Sequence, residues 1–183
     1  MRRRFIVIAN SLEELEKWAP VAARCISASI MLSHRLRADT DVALVAGDRV
    51  SVFFNTPRLR NVRPDESSLM GILRKAFKLM RAGVAGLVHS GVMVYRHGVK
   101  HYLTGFAIKC YCCRRGTDLR FLLARGGSIA IVVPLTQLAN SLVRAIESMG
   151  AKPLKCPVDR LWPDQVITLL NILMDRWCTR ASG

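Results

Sequence analysis

The sequence has few aromatic side chains and no long uninterrupted hydrophobic run. Phe, Trp and Tyr together make up 7% of the 183 residues, which disfavours proteins that read RNA with aromatic rings on a sheet surface. No apolar run approaches the roughly 18 residues that a membrane span needs. The apolar stretch after Met1-Arg-Arg-Arg4 is also too short for a signal peptide and reads as a buried strand. The sequence therefore predicts a soluble, cytoplasmic protein with no membrane partner.

Acidic residues are scarce as well. The chain carries 28 Lys and Arg against 13 Asp and Glu, a formal net charge of +15 at pH 7. Two basic stretches stand out, one between residues 58 and 81 and one between residues 96 and 125. A run of charge is usually a solvated face, but a surplus of this size favours a polyanionic partner, with nucleic acid ahead of an anionic membrane surface. The hydrophobic share of 51% predicts a folded core rather than disorder.

The six cysteines do not form a complete metal-binding pattern. Cys110 and Cys113 have the C-x-x-C spacing of half a zinc site, and His97 and His101 lie upstream, but no second cysteine pair completes a set of four ligands. We interpret the cysteines from 110 to 113 as strand residues that behave as small hydrophobic side chains. No metal site is predicted.

The carboxy-terminal third alternates between strand and helix patterns. Strands are predicted at 120–123, 128–133 and 152–157, a helix with its apolar stripe from Leu135 to Met149, and a last helix from about Pro163. This alternation predicts an α/β fold with a parallel sheet, whose ligands bind in loops beyond the carboxyl ends of the strands. Those loops contain Gly126-Gly127, Pro134-Leu135 and Cys156-Pro157.

The rest of the chain fits the same class. Strands are predicted at 3–9, 42–46 and 50–54, and helices at 11–18, from Pro20 to about Arg37, and from the acids near Asp65 to Gly83. From Val84 onward, short strands are punctuated by glycine. The sequence contains no repeat, linker or low-complexity segment, so we expect one α/β domain over residues 1–183.

Four blocks of residues become informative together. They are Arg24-Cys-Ile-Ser27 with Leu32-Ser-His34, Arg37 and Asp39; Val62-Arg-Pro-Asp-Glu66; Ser90-Gly-Val-Met-Val-Tyr-Arg-His-Gly98; and Val166-Ile-Thr-Leu-Leu-Asn171 with Asp175. In this order and spacing they resemble the archaeal tRNA pseudouridine N1-methyltransferases, members of the SPOUT (trefoil-knot) methyltransferase superfamily. The similarity runs from about Phe5 to Trp177.

The resemblance implies a SPOUT-like sheet flanked by helices, with a C-terminal trefoil knot and a cofactor region over about residues 120–177. It implies S-adenosyl-L-methionine as the cofactor, and methylation of N1 of pseudouridine 54 in the T-loop of tRNA. The implied cofactor-binding residues are Leu122, Leu123, Gly126, Val133, Pro134, Leu154, Lys155, Cys156, Leu161 and Val166. Taken alone, Leu122 and Leu123 fit ordinary core residues, and Gly126-Gly127 could equally form a turn between strands.

The family-like blocks also contain candidates for catalysis and for RNA contact. Asp39 and Asp65 are candidate bases, although Asp65 also fits a helix cap and Asp39 also fits an ion pair with a neighbouring arginine. His34 reads better as a core histidine than as a catalytic residue. The expected RNA-binding residues are Arg35, Arg37, Arg63 and Arg96.

The family works as a homodimer, and the last helix agrees with that expectation. One apolar stripe contains Val166, Leu169, Leu170, Leu173 and Trp177, and three further residues, Ile167, Ile172 and Met174, extend the apolar surface beyond it. A second buried face is therefore expected. The alternative is a helix that is wholly buried within its own subunit.

The cofactor loops depart from the family pattern. Val133-Pro-Leu-Thr-Gln137 stands where the family usually has a Gly-Asp-His-like loop, Lys155-Cys-Pro157 replaces Leu-Ser-Pro, and Val166 replaces a cysteine. A glycine in this loop would let the backbone approach the methionine part of the cofactor closely, and the side chain of Val133 narrows that approach. Two hypotheses follow: a methyltransferase that holds its cofactor through main-chain groups, or a catalytically silent, dimeric RNA-binding relative that has lost S-adenosylmethionine. An enzyme acting on another RNA, such as rRNA, is a weaker third.

Overall fold

The computed structural model describes residues 1–32, 35–63, 65–124 and 126–181, and His34 lies outside them. Its strands are β1 (Arg3–Ala9), β2 (Thr40–Ala46), β3 (Val50–Phe54), β4 (Gly86–His89), β5 (Val92–Tyr95), β6 (Ile108–Cys113), β7 (Ile129–Pro134) and β8 (Lys152–Lys155). Its helices are α1 (Leu12–Lys17), α2 (Ala19–Ile30), α3 (Glu66–Arg81), α4 (Val99–Leu103), α5 (Leu119–Leu123), α6 (Asn140–Glu147) and α7 (Pro163–Ala181), with a 3-10 turn at Thr56–Arg58. No helix in the described ranges has the length and apolar composition to cross a membrane.

The eight strands form one mixed sheet in the order β4-β5-β3-β2-β1-β7-β6-β8. β2, β1, β7, β6 and β8 are parallel, whereas β3, β5 and β4 pair antiparallel at one side. The α/β class is therefore confirmed, and the sheet is mixed rather than wholly parallel. The antiparallel part begins at the β2–β3 pair, where Gly47, with a positive φ of 59°, makes the tight turn that leads into β3.

Helices cover both faces of the sheet. Alternate residues of β1 serve the two cores: Phe5 and Val7 face α1, α2, α3, α5 and α7, whereas Ile6 and Ile8 face α4 and α6. Because both faces are covered, the central strands read as continuous apolar runs rather than as alternating ones. All four of these side chains are fully buried.

Three expected elements are wrong or shortened. Residues 120–123, expected as a strand, belong to α5, whose amino end is capped by the Asp118 carboxylate accepting from the Arg120 N–H at 2.9 Å. The strand that precedes β7 is β6 instead. The helix expected from Leu135 begins only at Asn140, and α2 ends at Ile30 rather than near Arg37.

Other expectations are confirmed. Ser11 caps α1 by accepting from the Glu14 N–H, and Asp65 caps α3 by accepting from the Ser68 N–H at 2.7 Å. Gly150 follows α6 in the left-handed region, with a φ of 76°. The last helix begins at Pro163.

The chain that leaves β6 wraps around β8. On one edge of β8, the Cys156 N–H donates to the Cys113 carbonyl at 2.8 Å; on the other edge, Thr117 donates to the Pro153 carbonyl at 2.9 Å and accepts from the Lys155 N–H at 3.0 Å. A Cβ at Gly116 would lie 2.5 Å from the Pro153 carbonyl oxygen, so this crossing requires glycine. The same stretch of chain therefore holds both edges of β8.

Candidate functional site

A cavity of about 970 Å³ opens at the carboxyl ends of β6 and β7. Its walls come from the end of β6, the loop that follows β7, the loop before α7 and the first turn of α7. The lining residues are Tyr111, Cys112, Cys113, Arg114, Val133, Pro134, Leu135, Thr136, Gln137, Leu138, Asn140, Val143, Val158, Asp159, Arg160, Leu161, Trp162, Pro163 and Val166. Its volume lies in the range of small-molecule sites, and its position is where parallel α/β sheets bind ligands.

The cavity combines an apolar floor with a charged rim. Val133 and Val166 are buried at its floor, whereas Trp162 is 53% exposed. At the rim, the Arg114 guanidinium lies 3.7 Å from the Asp159 carboxylate. Asp159 is the only carboxylate among the described lining residues. The lining therefore presents two arginines, Arg114 and Arg160, and one carboxylate beside apolar walls.

The loop after β7 is fixed by two residues from the amino-terminal part of the chain. Asn10 accepts from the Ala139 N–H at 2.7 Å through Oδ1 and donates to the Gln137 carbonyl at 3.0 Å through Nδ2. Thr136 donates a short hydrogen bond to Glu14, whose other carboxylate oxygen accepts from the Asn10 N–H at 2.5 Å. These bonds hold residues 136–139 in an extended loop, which explains why α6 begins late.

A pair of buried thiols lies beside the cavity, and one of them, Cys112, lines it. The Sγ atoms of Cys112 and Cys156 lie 3.0 Å apart, both almost fully buried. Burial, with the hydrogen bond to Cys156, raises the pKa of the Cys112 thiol well above its ordinary value. Cys110 and Cys113, three residues apart on β6, point to opposite faces of the strand, as its alternating burial shows. Among the described residues, no group of three or more His, Cys, Asp or Glu side chains is placed to hold a metal ion.

Four of the ten expected cofactor-binding residues line this cavity: Val133, Pro134, Leu161 and Val166. The other six do not line it, and they are Leu122, Leu123, Gly126, Leu154, Lys155 and Cys156. Leu122 and Leu123 are core residues of α5, and Gly126, with a φ of 68°, lies in the turn between α5 and β7. For Leu122, Leu123 and Gly126 the difference follows from the misplaced strand, because the loop beyond β6 begins at Arg114 rather than at Ala124. Cofactor binding by these six residues stays a prediction.

Sequence reasoning missed the β6 side of the cavity and most of the loop before α7. Tyr111, Arg114, Asp159 and Trp162 belong to this group. The signal for β6 was present, because Ile108, Cys110 and Cys112 alternate with more polar or exposed positions. No comparable signal marks the loop before α7.

Neither candidate base lies in the cavity. Asp65 caps α3. Asp39 lies 3.6 Å from Arg3 and accepts from the Thr40 hydroxyl at 3.1 Å. Its arginine partner is therefore Arg3 of β1, not Arg37. Asp39 shares Arg3 with Asp175, which is 12 residues beyond the start of α7, a distance of about 18 Å along a helix.

The four expected RNA-binding arginines differ in their surroundings. Arg37 is engaged in a two-pronged ion pair with Asp175, at 2.9 and 2.7 Å. Arg35, Arg63 and Arg96 are exposed and make no ion pair with any described residue. The structure thus leaves three of the four charges available to a partner.

Comparison with solved structures first identifies the type of fold. The crystal structure of Archaeoglobus fulgidus Nep1 bound to S-adenosylhomocysteine aligns with 99% of this chain and 100% of its own, with a TM-score of 0.67 at 10% identity. At that identity the match concerns the fold alone. The protein is an α/β protein with the Nep1 fold.

Sequence comparison then identifies the family. The family model "Putative SAM-dependent RNA methyltransferase" matches residues 18–177. The tRNA (pseudouridine(54)-N(1))-methyltransferase of Methanocella arvoryzae is 26% identical over 95% of this chain and 99% of its own. That of Haloarcula marismortui is 31% identical over 72% of this chain and 70% of its own. The chain belongs to this family of S-adenosylmethionine-dependent RNA methyltransferases.

The residues present fit such a cofactor. The cavity offers apolar walls for the flat and aliphatic parts of an adenosyl thioether, and Arg114 with Asp159 offers opposite charges for an amino-acid zwitterion. Hydrogen bonds from Asn10 and Glu14 hold the altered loop at the edge of this cavity. Valine at position 133 has therefore not closed the cavity.

Proposed function

We propose that this protein transfers a methyl group from S-adenosylmethionine to N1 of pseudouridine 54 in the T-loop of tRNA. The observation that carries the proposal is an open, nucleoside-sized cavity at the carboxyl ends of β6 and β7, in a chain of this family whose loop there has changed. A relative named for the same reaction matches 95% of the chain. The net charge of +15 is suited to a tRNA partner.

The proposed cofactor site combines floor and rim residues of the cavity. Val133, Pro134, Leu161 and Val166 provide the apolar walls, and Arg114 with Asp159 binds the carboxylate and ammonium groups of the methionine part. When bound, S-adenosylmethionine supplies an electrophilic methyl group. The chain orients the two reactants and excludes water, which are the contributions that a strong electrophile still requires. Asp39 and Asp65 are not part of this site.

We also propose that the region around β8 is a trefoil knot. Support comes from residues 114–117, which pass from one edge of β8 to the other before the chain returns to the sheet in β7. The segment from β8 to α7 would then run through the loop between β6 and β7. Such threading is rare in proteins, and it would place three loops around one ligand.

We propose that residues 1–183 form one domain and that two copies of the chain form a homodimer through α7. Ile172 and Leu173 are 43% and 40% exposed, and Phe121 on the neighbouring α5 is 71% exposed. A cleft between the two helices is lined by Leu119, Leu123, Leu173 and Trp177, among others. Ile167 and Met174, in contrast, are buried in the subunit's own core, so the second apolar face is narrower than the sequence indicated.

The test is a methyl-transfer assay with a labelled cofactor on tRNA that carries pseudouridine at position 54. The product nucleoside is identified by mass spectrometry, and tRNA with uridine at that position is the control. We expect N1-methylpseudouridine from the first tRNA and no label in the second. Methylation of rRNA alone would indicate another substrate. Failure to bind S-adenosylmethionine, with the chain folded, would favour the silent RNA-binding alternative.

A further inference from the structure

Three neighbouring rings stack on one another outside the buried cores. Tyr95, at the end of β5, and His97 stack with ring centroids 5.6 Å apart and planes 19° apart. His97 stacks in turn on His101 of α4, at 4.1 Å and 17°. His97 and His101 are exposed, and Tyr95 is half-buried. The result is a column of three nearly parallel rings at the protein surface.

The column is held in place by the structure beneath it. The Asp48 carboxylate accepts from the Val99 N–H at 2.9 Å, and a Cβ at Gly98 would lie 1.9 Å from that carboxylate oxygen, so the start of α4 is fixed. Tyr102 is buried and shares a 2.7 Å hydrogen bond with Ser51. Because α4 buries Val99, Tyr102 and Leu103, it must turn His101 outward. His101 meets the Tyr102 ring edge-on, at 5.1 Å.

The surroundings of the column are positively charged. Arg96 and Lys100, which alternate with its rings along the chain, are exposed and form no ion pair with a described residue. Beneath it, the Arg4 guanidinium lies 5.8 Å from the Tyr102 ring centroid and is paired with Asp41. Partial burial, the neighbouring His97 and Arg4 lower the pKa of His101. Two acids contact the residues beneath the column: Asp48 caps α4, and Asp41 pairs with Arg4.

Flat rings combined with free cations match one class of partner better than others. Bases stack on histidine and tyrosine rings, and phosphates pair with arginine and lysine. An acidic peptide would use the cations but would leave the outer faces of the column without a stacking partner. An RNA uses both the rings and the cations. The aromatic content of the sequence did not indicate this surface, because a count of Phe, Trp and Tyr leaves out the two histidines.

We infer that the Tyr95–His97–His101 column is an RNA-stacking surface on which an unpaired base of the substrate RNA rests, with Arg96 and Lys100 on the adjoining phosphates. The inference rests on the proposed function, since it places a part of the same substrate. It adds a contact that is separate from the cofactor cavity, because none of these residues lines that cavity. The surface therefore contributes to RNA affinity and not to cofactor affinity.

The test measures binding of a T-arm stem-loop RNA with pseudouridine at position 54, over a series of salt concentrations. We expect His97→Ala combined with His101→Ala to weaken binding about tenfold, the scale of one lost base stack. His97→Phe should bind like the wild type, because it keeps a ring. The double-alanine variant should keep the wild-type salt dependence, whereas Arg96→Ala should lower the salt slope by about one.

The controls separate this inference from the proposed function. All variants should bind S-adenosylhomocysteine like the wild type, because none of the substituted residues lines the cofactor cavity. Wild-type RNA affinity in the double-alanine variant would overturn the stacking surface. So would an equal loss of RNA affinity in His97→Phe and in His97→Ala. A third contrary result would be that polyglutamate competes for the surface as well as RNA does. If the wild type itself neither binds nor methylates tRNA, the proposed function fails instead.

Discussion

At the scale of single residues, the rim of the cavity pairs two opposite charges, Arg114 and Asp159, at 3.7 Å. Both side chains are largely exposed, so their mutual attraction stabilises the fold very little. In the proposed cofactor site, a zwitterion offers each of them a charged hydrogen-bond partner. The proposal therefore assigns to these two side chains the discrimination between ligands with and without an amino-acid group.

This assignment predicts a selective loss of affinity. Asp159→Asn and Arg114→Gln should each lower the affinity for S-adenosylhomocysteine about tenfold, as expected for a lost hydrogen bond to a charged group. The affinity for 5′-methylthioadenosine, which lacks the amino-acid part, should not change. Isothermal titration of both ligands measures the difference. Glu16→Gln, which breaks the surface pair with Arg81, is the control. Equal losses for both ligands would contradict a role in zwitterion binding.

The thiols give a second prediction at this scale. Cys25, Cys110, Cys112 and Cys156 are buried, and burial raises the pKa of the first three. Because the thiolate is the reactive form, we expect native protein to be alkylated only at Cys113 and Cys178, which are partly exposed, and denatured protein at every cysteine. Peptide mapping after iodoacetamide treatment measures this pattern. Rapid native labelling of Cys112 would show that the cavity wall opens to solvent.

At the scale of elements, α7 is attached to β1 and to the segment before β2 by a cluster of charges. Asp175 pairs with Arg37 and lies 2.7 Å from Arg3 of β1, which also donates to Asn171 at 3.2 Å. Arg3 is 4% exposed. Burial opposes ionisation of Asp175, but hydrogen bonds from Arg37 and Arg3 outweigh it and lower the pKa of that carboxyl group.

The direction of this pKa shift sets a pH dependence. A carboxyl group whose pKa is lowered in the folded protein binds protons more readily in the unfolded chain. Its contribution to stability is therefore complete above the ordinary aspartate pKa of ~3.9 and is lost as the pH falls through the lowered pKa. Asp175→Asn should therefore unfold at lower urea concentration near neutral pH, with a gap to the wild type that narrows on acidification. A gap independent of pH would contradict this account of the cluster.

The loop after β7 is the second element with a specific prediction. Asn10→Ala removes the acceptor of the Ala139 N–H and the donor to the Gln137 carbonyl, so the loop should lose its fixed place. We expect the KM for S-adenosylmethionine to rise several-fold, with kcat and the KM for tRNA unchanged, since only the cofactor wall has moved. Thr104→Ala, which removes a hydroxyl bond to the Lys100 carbonyl at the end of α4, is the control. An equal rise in both KM values would indicate a global effect instead.

The sequence predicted elements well where local chemistry decides them. The caps at Ser11 and Asp65 and the break at Gly150 are local features, and all three are found. Residues 120–123 were misassigned because a short apolar run fits either a strand or a helix. The cap at Asp118 decides between them. The cavity was only half predicted, because its β6 wall and the Asn10 bonds depend on which strands are neighbours in space.

At the scale of the whole molecule, the exposed apolar residues of α5 and α7 predict a dimer. Ile172→Glu combined with Leu173→Glu should give monomers, because two charges would replace apolar surface at the centre of the proposed interface. Light scattering after size exclusion measures the mass. Leu87→Glu is a matched control, since Leu87 is 68% exposed on the edge strand β4, away from this face. A monomeric wild type would contradict the dimer.

The central claim is that the altered loop still forms a cofactor site, and calorimetric titration with S-adenosylhomocysteine tests it most directly. We predict binding at about one site per chain, with a rise in the unfolding temperature that grows with ligand concentration. Asn10→Ala should bind more weakly under the same conditions. A folded wild-type protein that gives no binding heat and no thermal shift would contradict the claim and leave an RNA-binding relative without its cofactor.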